Sequence, residues 1–473
     1  MQSASIRQPA TAIARVALEV TLEFQQSPVM CESRLWFHRF VQTALLVVVA
    51  ACHPAIGSGI SPHPSAALRV RQCKRDTPTD ACAEERPVQR ATTRDSKLSQ
   101  GNHASTGTTS FIFEGNRVYA LLTFLKPDGS AHAAYAYVDM GAADMALSAP
   151  LYDSLGVSTG APARFKVGDY ALEAPAANIR RGGSPNVGGS RPQLEASLPA
   201  SVLQHHALVL DYEHRTLTLG DPGSTAPSGT PVPFRLDTAT GLIAVDATID
   251  GETYPITIDN GSAYTWVRQD AASQWLRRHP DWERGVGAVG TANMMLRGEQ
   301  PEREGILIRI PELSIGAIRL TQVGALAVTG GRGMDTSLAL MDWYSKKNPV
   351  PVLGWLGGNV FKAFRFTVDY QKHMMYWLRQ AEPDTSDLHQ VGLTLRTAPH
   401  AVYVVAVATK NGKPTVEGVL PGDQLISVAG HELGSGTIGQ IFESMHGAPG
   451  ATRELVLERN GVRFTVTAAI TAF

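Results

Sequence analysis

The stretch ITIDNGSAYTWV, residues 256–267, decides how this sequence is expected to fold. An apolar run typical of a β-strand leads directly into Asp259, and Gly261 follows two residues later. An earlier stretch, YAYVDMGAA at residues 135–143, repeats the same order around Asp139. Both read as an apolar residue, Asp, any residue, Gly, a small residue and Ala, so the chain contains an internal repeat.

The repeat continues beyond these Asp-Gly motifs. Each copy later contains an apolar strand pattern that ends in an Asp-Tyr pair, at residues 211–212 in the first copy and 369–370 in the second. A segment rich in Pro, Gly and Ser, residues 220–233, separates the copies. Because the Asp-x-Gly motif and the Asp-Tyr pair occur in the same order in both copies, the sequence predicts two halves of similar β structure, each with one Asp-Gly turn.

The two repeated aspartates, Asp139 and Asp259, are the candidate catalytic residues. An Asp at the end of a strand, followed by a Gly that allows a tight turn, projects a carboxylate from backbone that can approach its symmetry mate. Two carboxylates about 3 Å apart cannot both ionise, so one remains an acid while the other polarises a water. Such a pair can hydrolyse an amide without a metal or a covalent intermediate. A single Asp-x-Gly is ordinary turn chemistry, and only its repetition makes it specific.

At this point the sequence resembles the aspartic proteases of the retropepsin and pepsin type. Residues 259–267 resemble the family signature Asp-Thr-Gly-Ser-x-x-x-Trp-Val. Residues 356–361, followed by 368–370, resemble its later hydrophobic-Gly segment. The resemblance covers about residues 110–380.

The resemblance implies a mainly β fold with two retropepsin-like β-barrel lobes in one chain and a substrate cleft between them. It implies an aspartic-type endopeptidase in which Asp139 and Asp259 face each other, activate a water and cleave a polypeptide substrate. No cofactor and no metal are expected, and two lobes in one chain are expected to work as a monomer. The residues expected to support the two active-site loops are Gly141, Ala142, Gly261 and Ser262.

The sequence departs from the family pattern at three places. Met140 and Asn260 stand where the family has Thr or Ser after each catalytic Asp. In the first copy, residues 198–200 read Leu-Pro-Ala instead of the hydrophobic-Gly element, which the sequence predicts is missing there. An alternative function therefore stays open, namely a catalytically inactive pseudoprotease that binds peptides as a scaffold lipoprotein.

The C-terminal stretch is predicted to be a separate module. Residues 418–430, GVLPGDQLISVAG, resemble the bacterial PDZ signature. A helix is predicted over 438–445 and a closing hairpin around 454–461. PDZ domains bind the C-terminal ends of extended peptides by strand addition, and the matching peptide-binding candidates here are Gly392 and Leu393. A PDZ-like module that merely packs on the protease lobes is the alternative.

The N-terminal region resembles a targeting signal. Residues 40–50 form an apolar run that is too short to span a bilayer comfortably and fits a signal-peptide core. Residues 49–52, Val-Ala-Ala-Cys, resemble a bacterial lipobox with Cys52 as the lipidated residue, and a start at Met30 gives the signal an ordinary length. We therefore expect a periplasmic or extracytoplasmic lipoprotein held at the membrane by its anchor, with a cleaved secretory signal, an uncleaved anchor or a cytoplasmic chain as alternatives.

Composition, charge and cysteine spacing argue against several other functional classes for the protein. Lys plus Arg number 42 against 43 Asp plus Glu, which argues against a nucleic-acid-binding protein. Cys73 and Cys82 either form a local disulfide or remain free thiols, and no Cys/His spacing typical of zinc is found. Residues 285–290 match Gly-x-Gly-x-x-Gly without a preceding strand, so they are predicted to be a surface loop.

These observations predict five segments along the chain. They are a signal and lipobox segment (1–52), a disordered linker (53–107), protease lobe 1 (108–221), protease lobe 2 (234–380) and a PDZ-like domain (388–473).

Overall fold

The computed structural model describes residues 105–182, 193–328, 341–342, 345–434 and 436–473. All of them belong to one compact unit. The predictions for the signal segment with Cys52, the start at Met30, the linker and the pair Cys73 and Cys82 lie outside the described residues.

The fold is mainly β, as the sequence predicts. We call residues 105–220 the first half, 230–379 the second half and 388–473 the C-terminal segment. The strands of the first half are β1 (Thr106–Glu114), β2 (Arg117–Leu125), β3 (Ala131–Asp139), β4 (Met145–Leu147), β5 (Ala163–Val167), β6 (Tyr170–Ala174), β7 (Ile179–Arg181), β8 (Leu194–Pro199), β9 (Ala207–Asp211) and β10 (Thr216–Gly220). Its helices are α1 (Ala149–Ser154) and α2 (Ala200–Leu203).

The second half has the same kind of elements in a similar order. Its strands are β11 (Thr230–Pro233), β12 (Arg235–Leu236), β13 (Ile243–Ile249), β14 (Glu252–Ile258), β15 (Thr265–Arg268), β16 (Arg284–Val286), β17 (Ile306–Ile315), β18 (Ile318–Val328), β19 (Gly354–Leu356), β20 (Phe364–Asp369) and β21 (Met374–Arg379). Its helices are α3 (Gln269–Arg278), α4 (Gln300–Glu304) and α5 (Gly358–Phe361), with a 3-10 turn at Gly290–Ala292.

The C-terminal segment has one helix and contributes strands to two sheets, its own and that of the second half. Its strands are β22 (His389–Val391), β23 (Leu393–Ala398), β24 (Ala401–Val407), β25 (Thr409–Lys410), β26 (Lys413–Pro414), β27 (Gln424–Val428), β28 (His431–Glu432), β29 (Thr452–Arg459) and β30 (Val462–Ala472). Its helix is α6 (Ile438–Met445), as predicted, and a capping box between Thr437 and Gln440 fixes where it begins. The predicted closing hairpin is β29 and β30.

The local sequence explains how Asp139 comes to lie at the end of a strand. β1, β2 and β3 pair as an antiparallel meander. The turn before β3 is fixed by Asp128, whose carboxylate accepts the Ser130 backbone N–H at 2.9 Å, and by Gly129 at φ 84°. β3 then ends at Asp139.

The two halves repeat one arrangement around each Asp. β3 pairs in parallel with β8, and β14 pairs in parallel with β19. The Ala200 N–H donates to the Ala142 carbonyl at 2.9 Å, as the Gly358 N–H donates to the Ser262 carbonyl at 2.7 Å. The prediction that the first copy lacks its late element is therefore wrong. The element is the end of β8 and the start of α2, because these backbone bonds do not require glycine.

The halves share a sheet and a core. Strands run in the order β11-β21-β20-β9-β10-β1, so the strands that carry the repeated Asp-Tyr pairs, β9 and β20, lie side by side. One hydrophobic cluster continues through both halves, with Phe366 and Trp377 in edge-to-face contact at 4.6 Å between ring centroids.

Residues 285–290 are not the predicted surface loop. β16 pairs with β17 of the second half and with β25 of the C-terminal segment. A Cβ at Gly285 would lie 2.7 Å from the Phe473 ring, and one at Gly290 would lie 2.8 Å from the Gln390 amide. Glycine is required here because two parts of the chain approach closely, which is a packing role.

Within the described ranges, none of the helices is long and apolar enough to cross a membrane.

Candidate functional site

Asp139 and Asp259 lie together at the ends of equivalent strands. A Cβ at Gly261 would overlap the Asp139 carboxylate, and a Cβ at Gly141 would overlap the Asp259 carboxylate. Each carboxylate therefore lies directly over the glycine of the opposite loop. The sequence predicts this pairing, and the glycines are needed because any side chain would push the carboxylates apart.

The loop residues orient the two carboxylates. The Gly141 N–H donates to Asp139 Oδ1 at 2.9 Å. Asp259 accepts the Ser262 N–H on Oδ1 at 3.0 Å and the Ser262 hydroxyl on Oδ2 at 2.8 Å. The structure thus brings the predicted supporting residues Gly141, Gly261 and Ser262 to the pair, while Ala142 contributes its carbonyl to the bond with α2.

The electrostatics favour one proton on the pair. Burial raises the pKa of Asp139 well above its ordinary range, and the neighbouring charge of Asp259 raises it further, while the Gly141 N–H opposes the rise. Asp259 is only 2% exposed. Two carboxyl groups this close share a single negative charge, because a second charge would face both repulsion and poor solvation.

Met140 and Asn260 connect the two loops by one bond. The Met140 N–H donates to Asn260 Oδ1 at 2.8 Å. Met140 is buried and packs into the core shared by both halves, and its thioether is at best a weak acceptor. Asn260 thus provides a cross-loop hydrogen bond that Met140 cannot return.

A buried arginine at the site was missed by the sequence analysis. Arg117, at the start of β2, donates from Nε to the Gly261 carbonyl at 3.3 Å and to the Tyr137 hydroxyl at 3.2 Å. The Tyr137 hydroxyl also donates to the Gly261 carbonyl. The nearby charge of Asp259 contributes to raising the pKa of Arg117, against burial, which lowers it. One cation therefore lies behind the Asp259 loop.

Nothing in the sequence around Arg117 marks it as part of the site. It precedes an apolar strand by one position, where a charged residue is ordinary. Only its neighbour Tyr137, two residues before Asp139, lies near a recognised motif. The contact joins residues far apart in sequence, so neither spacing nor periodicity could reveal it.

Gly392 and Leu393 lie elsewhere, in the sheet of the C-terminal segment. Both are buried, and the Gly392 carbonyl accepts the Ala408 N–H at 2.9 Å. The outer edge of the adjoining strand β23 is also covered, because the Thr397 N–H donates to the Leu296 carbonyl at 3.0 Å. The surface predicted to take a peptide is thus occupied by the chain itself.

Within the described ranges, no group of three or more His, Cys, Asp or Glu residues is placed to hold a metal ion. The chemistry available at this site is that of two carboxyl groups with one buried guanidinium behind them.

No family model matches the sequence, and no curated protein matches it. Among solved structures, the chain is similar to an aspartic proteinase from Irpex lacteus, with 11% sequence identity and a TM-score of 0.34. That similarity covers 59% of this chain and 99% of the neighbour. This structural similarity is distant.

Proposed function

We propose that this protein is an aspartic-type endopeptidase and a distant member of the aspartic proteases. The observation that carries the proposal is the crossed arrangement of the pair, in which each Asp carboxylate lies over the glycine of the opposite loop. Equivalent strand pairings on both sides support this reading, since they hold both loops in the same way.

In the proposed reaction the pair begins with one proton, carried on Asp139, whose pKa is raised by burial and by Asp259. The ionised carboxylate of Asp259 takes a proton from a water as that water attacks the peptide carbonyl carbon. Asp139 donates its proton to the carbonyl oxygen, which prevents charge from building up there. Asp259 then passes its proton to the amide nitrogen as the C–N bond breaks, and one hydroxyl of the diol returns a proton to Asp139 as the carboxyl product forms. The pair again holds one proton, and neither carboxyl forms a covalent intermediate.

The buried guanidinium of Arg117 affects both the charge and the position of the two aspartates. Arg117 partly offsets the single negative charge of the pair, and its charge slightly opposes the rise in the pKa of Asp139. Its hydrogen bond to the Gly261 carbonyl also fixes the loop that carries Asp259. Orientation matters because catalysis loses heavily when reacting groups move by about 1 Å.

The proposal extends to the substrate and the location. The substrate is a polypeptide, the C-terminal segment is a PDZ-like module, and the protein is a lipoprotein outside the cytoplasm. Support for these parts comes from the motifs at residues 418–430 and 49–52.

The test is cleavage of a diverse peptide pool by the full-length protein from pH 3 to 8, beside the variants Asp139→Asn and Asp259→Asn. Each variant should lose at least about a thousandfold in rate, as expected when one member of a catalytic unit is removed. The matched control is Asp144→Asn, because Asp144 belongs to the same loop region but its side chain is 48% exposed and pairs with Arg180. The control should keep wild-type activity.

A second function, peptide binding without catalysis, is favoured by one observation. Met140 supplies no oxygen to bond back to the Asn260 loop, so the cross-loop bonding is incomplete. If the folded protein binds pool peptides and cleaves none of them at any pH, the endopeptidase proposal fails and this alternative replaces it.

A further inference from the structure

The turn between β1 and β2, residues 114–117, contacts both the second half and the C-terminal segment. At its end, Arg117 donates a hydrogen bond to the Gly261 carbonyl in the loop of Asp259. We call Asp139 and Asp259 the dyad. The same guanidinium donates from Nη2 to the Met294 carbonyl at 2.8 Å. Arg117 is therefore held between the loop of Asp259 and a segment of the second half that precedes α4.

That segment, residues 293–298, is seated on the C-terminal segment. The Leu395 N–H donates to Asn293 Oδ1 at 2.6 Å, and Leu296 accepts the Thr397 N–H, so both bonds use the outer edge of β23. The Leu296 side chain is buried in the core of the C-terminal segment, together with residues of α6. Residues 293–298 thus complete that core from outside.

A buried carboxylate fixes the shape of residues 293–298. Glu302 is fully buried and accepts the Asn293 amide at 2.7 Å and the Leu296 N–H at 3.0 Å. It also accepts the backbone N–H groups of Met295, Arg297 and Gly298. Because so many donors converge on one carboxylate, the Met294 carbonyl is presented to Arg117 in a fixed position.

A second connection joins the same turn to the C-terminal segment. Glu114 Oε1 accepts the Gly439 N–H of α6 at 3.0 Å. Between the two ends of the turn, the Asn116 amide donates to Thr291 Oγ1 at 3.1 Å. The turn is therefore hydrogen-bonded to α6 at one end and to residues 293–298 at the other.

We infer that Arg117 is a positioning residue for the dyad, and that the C-terminal segment holds it in place through residues 293–298. The C-terminal segment then acts on catalysis within its own chain, by fixing the carbonyl of Gly261 beneath Asp139. This inference rests on the proposed endopeptidase function for its kinetic readout, but not for its structural one.

The first test compares Arg117→Met, Arg117→Lys and Leu296→Ala. Arg117→Met removes the bonds to Gly261 and Met294, so kcat should fall about tenfold to a hundredfold, as for a misplaced catalytic group, with KM changed less than about twofold. Leu296→Ala keeps Arg117 but removes part of the packing that holds residues 293–298, so kcat should also fall, by about threefold. The matched control is Leu420→Ala, an equal truncation in the C-terminal segment at a side chain that is 52% exposed, and it should leave kcat unchanged.

The pH profile separates positioning from general stability. The charged or titratable groups that face Asp139 are Asp259, Arg117 and the neutral hydroxyl of Tyr137. Arg117→Met removes the only cation of this set, which should raise the pKa values of both aspartates. The rise and the fall of the cleavage rate with pH should therefore both move to higher pH. Arg117→Lys keeps the charge and should restore the wild-type profile, although kcat stays low because the guanidinium geometry is lost.

The second readout is hydrogen exchange of the amides in residues 259–264, which needs no substrate. Arg117→Met and Leu296→Ala should both speed exchange there, whereas Leu420→Ala should not. The inference is overturned if the folded Leu296→Ala protein shows wild-type exchange in residues 259–264. If no variant or wild-type protein cleaves peptides, the endopeptidase proposal fails, and the exchange result still decides this inference.

Discussion

The Asp139 loop, residues 139–142, and the Asp259 loop, residues 259–262, share a pattern but are held differently. The Asp259 carboxylate is bonded by both the N–H and the hydroxyl of Ser262. Its loop carbonyl at Gly261 accepts bonds from Arg117 and Tyr137. The Asp139 carboxylate accepts the Gly141 N–H, and its loop is bonded to its surroundings through the Met140 N–H and the Ala142 carbonyl. The Asp259 loop therefore receives more side-chain hydrogen bonds than the Asp139 loop.

The asymmetry continues away from the dyad. Tyr264, which follows the Asp259 loop, donates its hydroxyl to Asp387 Oδ2 at 2.8 Å. Arg309 pairs with Asp387 Oδ1 at 2.6 Å, and both ionic side chains are almost fully buried. Asp387, just before the C-terminal segment, is thus bonded to two residues of the second half, one of which follows the Asp259 loop. The second copy of the repeat therefore carries, besides its aspartate, the buried connection through Asp387 to the residues that lead into the C-terminal segment.

The largest effect is expected from substituting the crossed glycines. Gly261→Ala and Gly141→Ala each place a methyl group inside the opposite carboxylate, so each should reduce the cleavage rate by about a hundredfold or more. Gly261→Ala should also destabilise the protein by about 2–3 kcal/mol, since it displaces the carbonyl that Arg117 and Tyr137 bind. Cleavage rates and urea unfolding measure the two effects.

Gly129→Ala is the control for these substitutions. A Cβ there meets no atom within 4 Å, and the residue lies in an exposed turn, so activity should persist although its positive φ costs some stability. Equal loss of stability in Gly141→Ala and Gly261→Ala would contradict the asymmetry.

Breaking the anchor at Asp387 is expected to give the largest loss of stability. Asp387→Ala leaves Arg309 as a buried charge without its carboxylate, which should cost about 3–5 kcal/mol. The measurement is urea unfolding at neutral pH. Asp342→Ala is the matched control, because its ion pair with Arg268 is half-exposed and should contribute less than about 1 kcal/mol.

The two residues after the aspartates should respond differently to substitution. Asn260→Ala leaves the buried Met140 N–H without its acceptor and should cost about 1–3 kcal/mol. Met140→Leu keeps an apolar side chain of similar volume and should cost less than about 1.5 kcal/mol. Thermal unfolding of both variants ranks the positions, and a larger loss in Met140→Leu would show that packing rather than the Asn260 bond joins the loops.

The smallest effect is expected from making the two loops alike. Ser262→Ala gives the second loop the residue that the first has at Ala142, and it removes the hydroxyl bond to Asp259. The cleavage rate should fall about fivefold, which corresponds to the loss of about 1 kcal/mol from one hydrogen bond. Ser262→Thr keeps the hydroxyl and should retain most of the rate. An unchanged rate in Ser262→Ala would mean that its N–H alone orients Asp259.

The repeat made the fold class and the two aspartates predictable. Apolar alternation ending in Asp, with a glycine two residues later, requires only local chemistry, and both loops form where these patterns lie. The helix over 438–445 was also predicted, and the structure shows that Thr437 caps it.

The contacts between segments were not predictable. The late element of the first copy was overlooked because Leu198-Pro199-Ala200 lacks glycine, whereas β8 needs only strand pairing. Residues 285–290 looked exposed because glycines are common in surface loops, and here they allow two sheets to meet. Arg117 and Glu302 acquire their roles from partners brought close by the fold, which leave no local pattern.

The central claim is that the two carboxylates share one proton, and its most direct test is the stability of the folded protein as a function of pH. The raised pKa of Asp139 means that the folded state holds a proton that the unfolded chain releases near pH 4. Stability should therefore be complete below that pH and decline through the raised pKa, by up to about 1.4 kcal/mol for each pH unit.

The measurement is urea unfolding from pH 3 to 8 of the wild-type protein and the Asp139→Asn variant. The amide side chain mimics the protonated acid and does not titrate, so the wild-type curve should fall relative to the variant as the pH rises. Parallel curves for the two proteins across this range would contradict the shared proton.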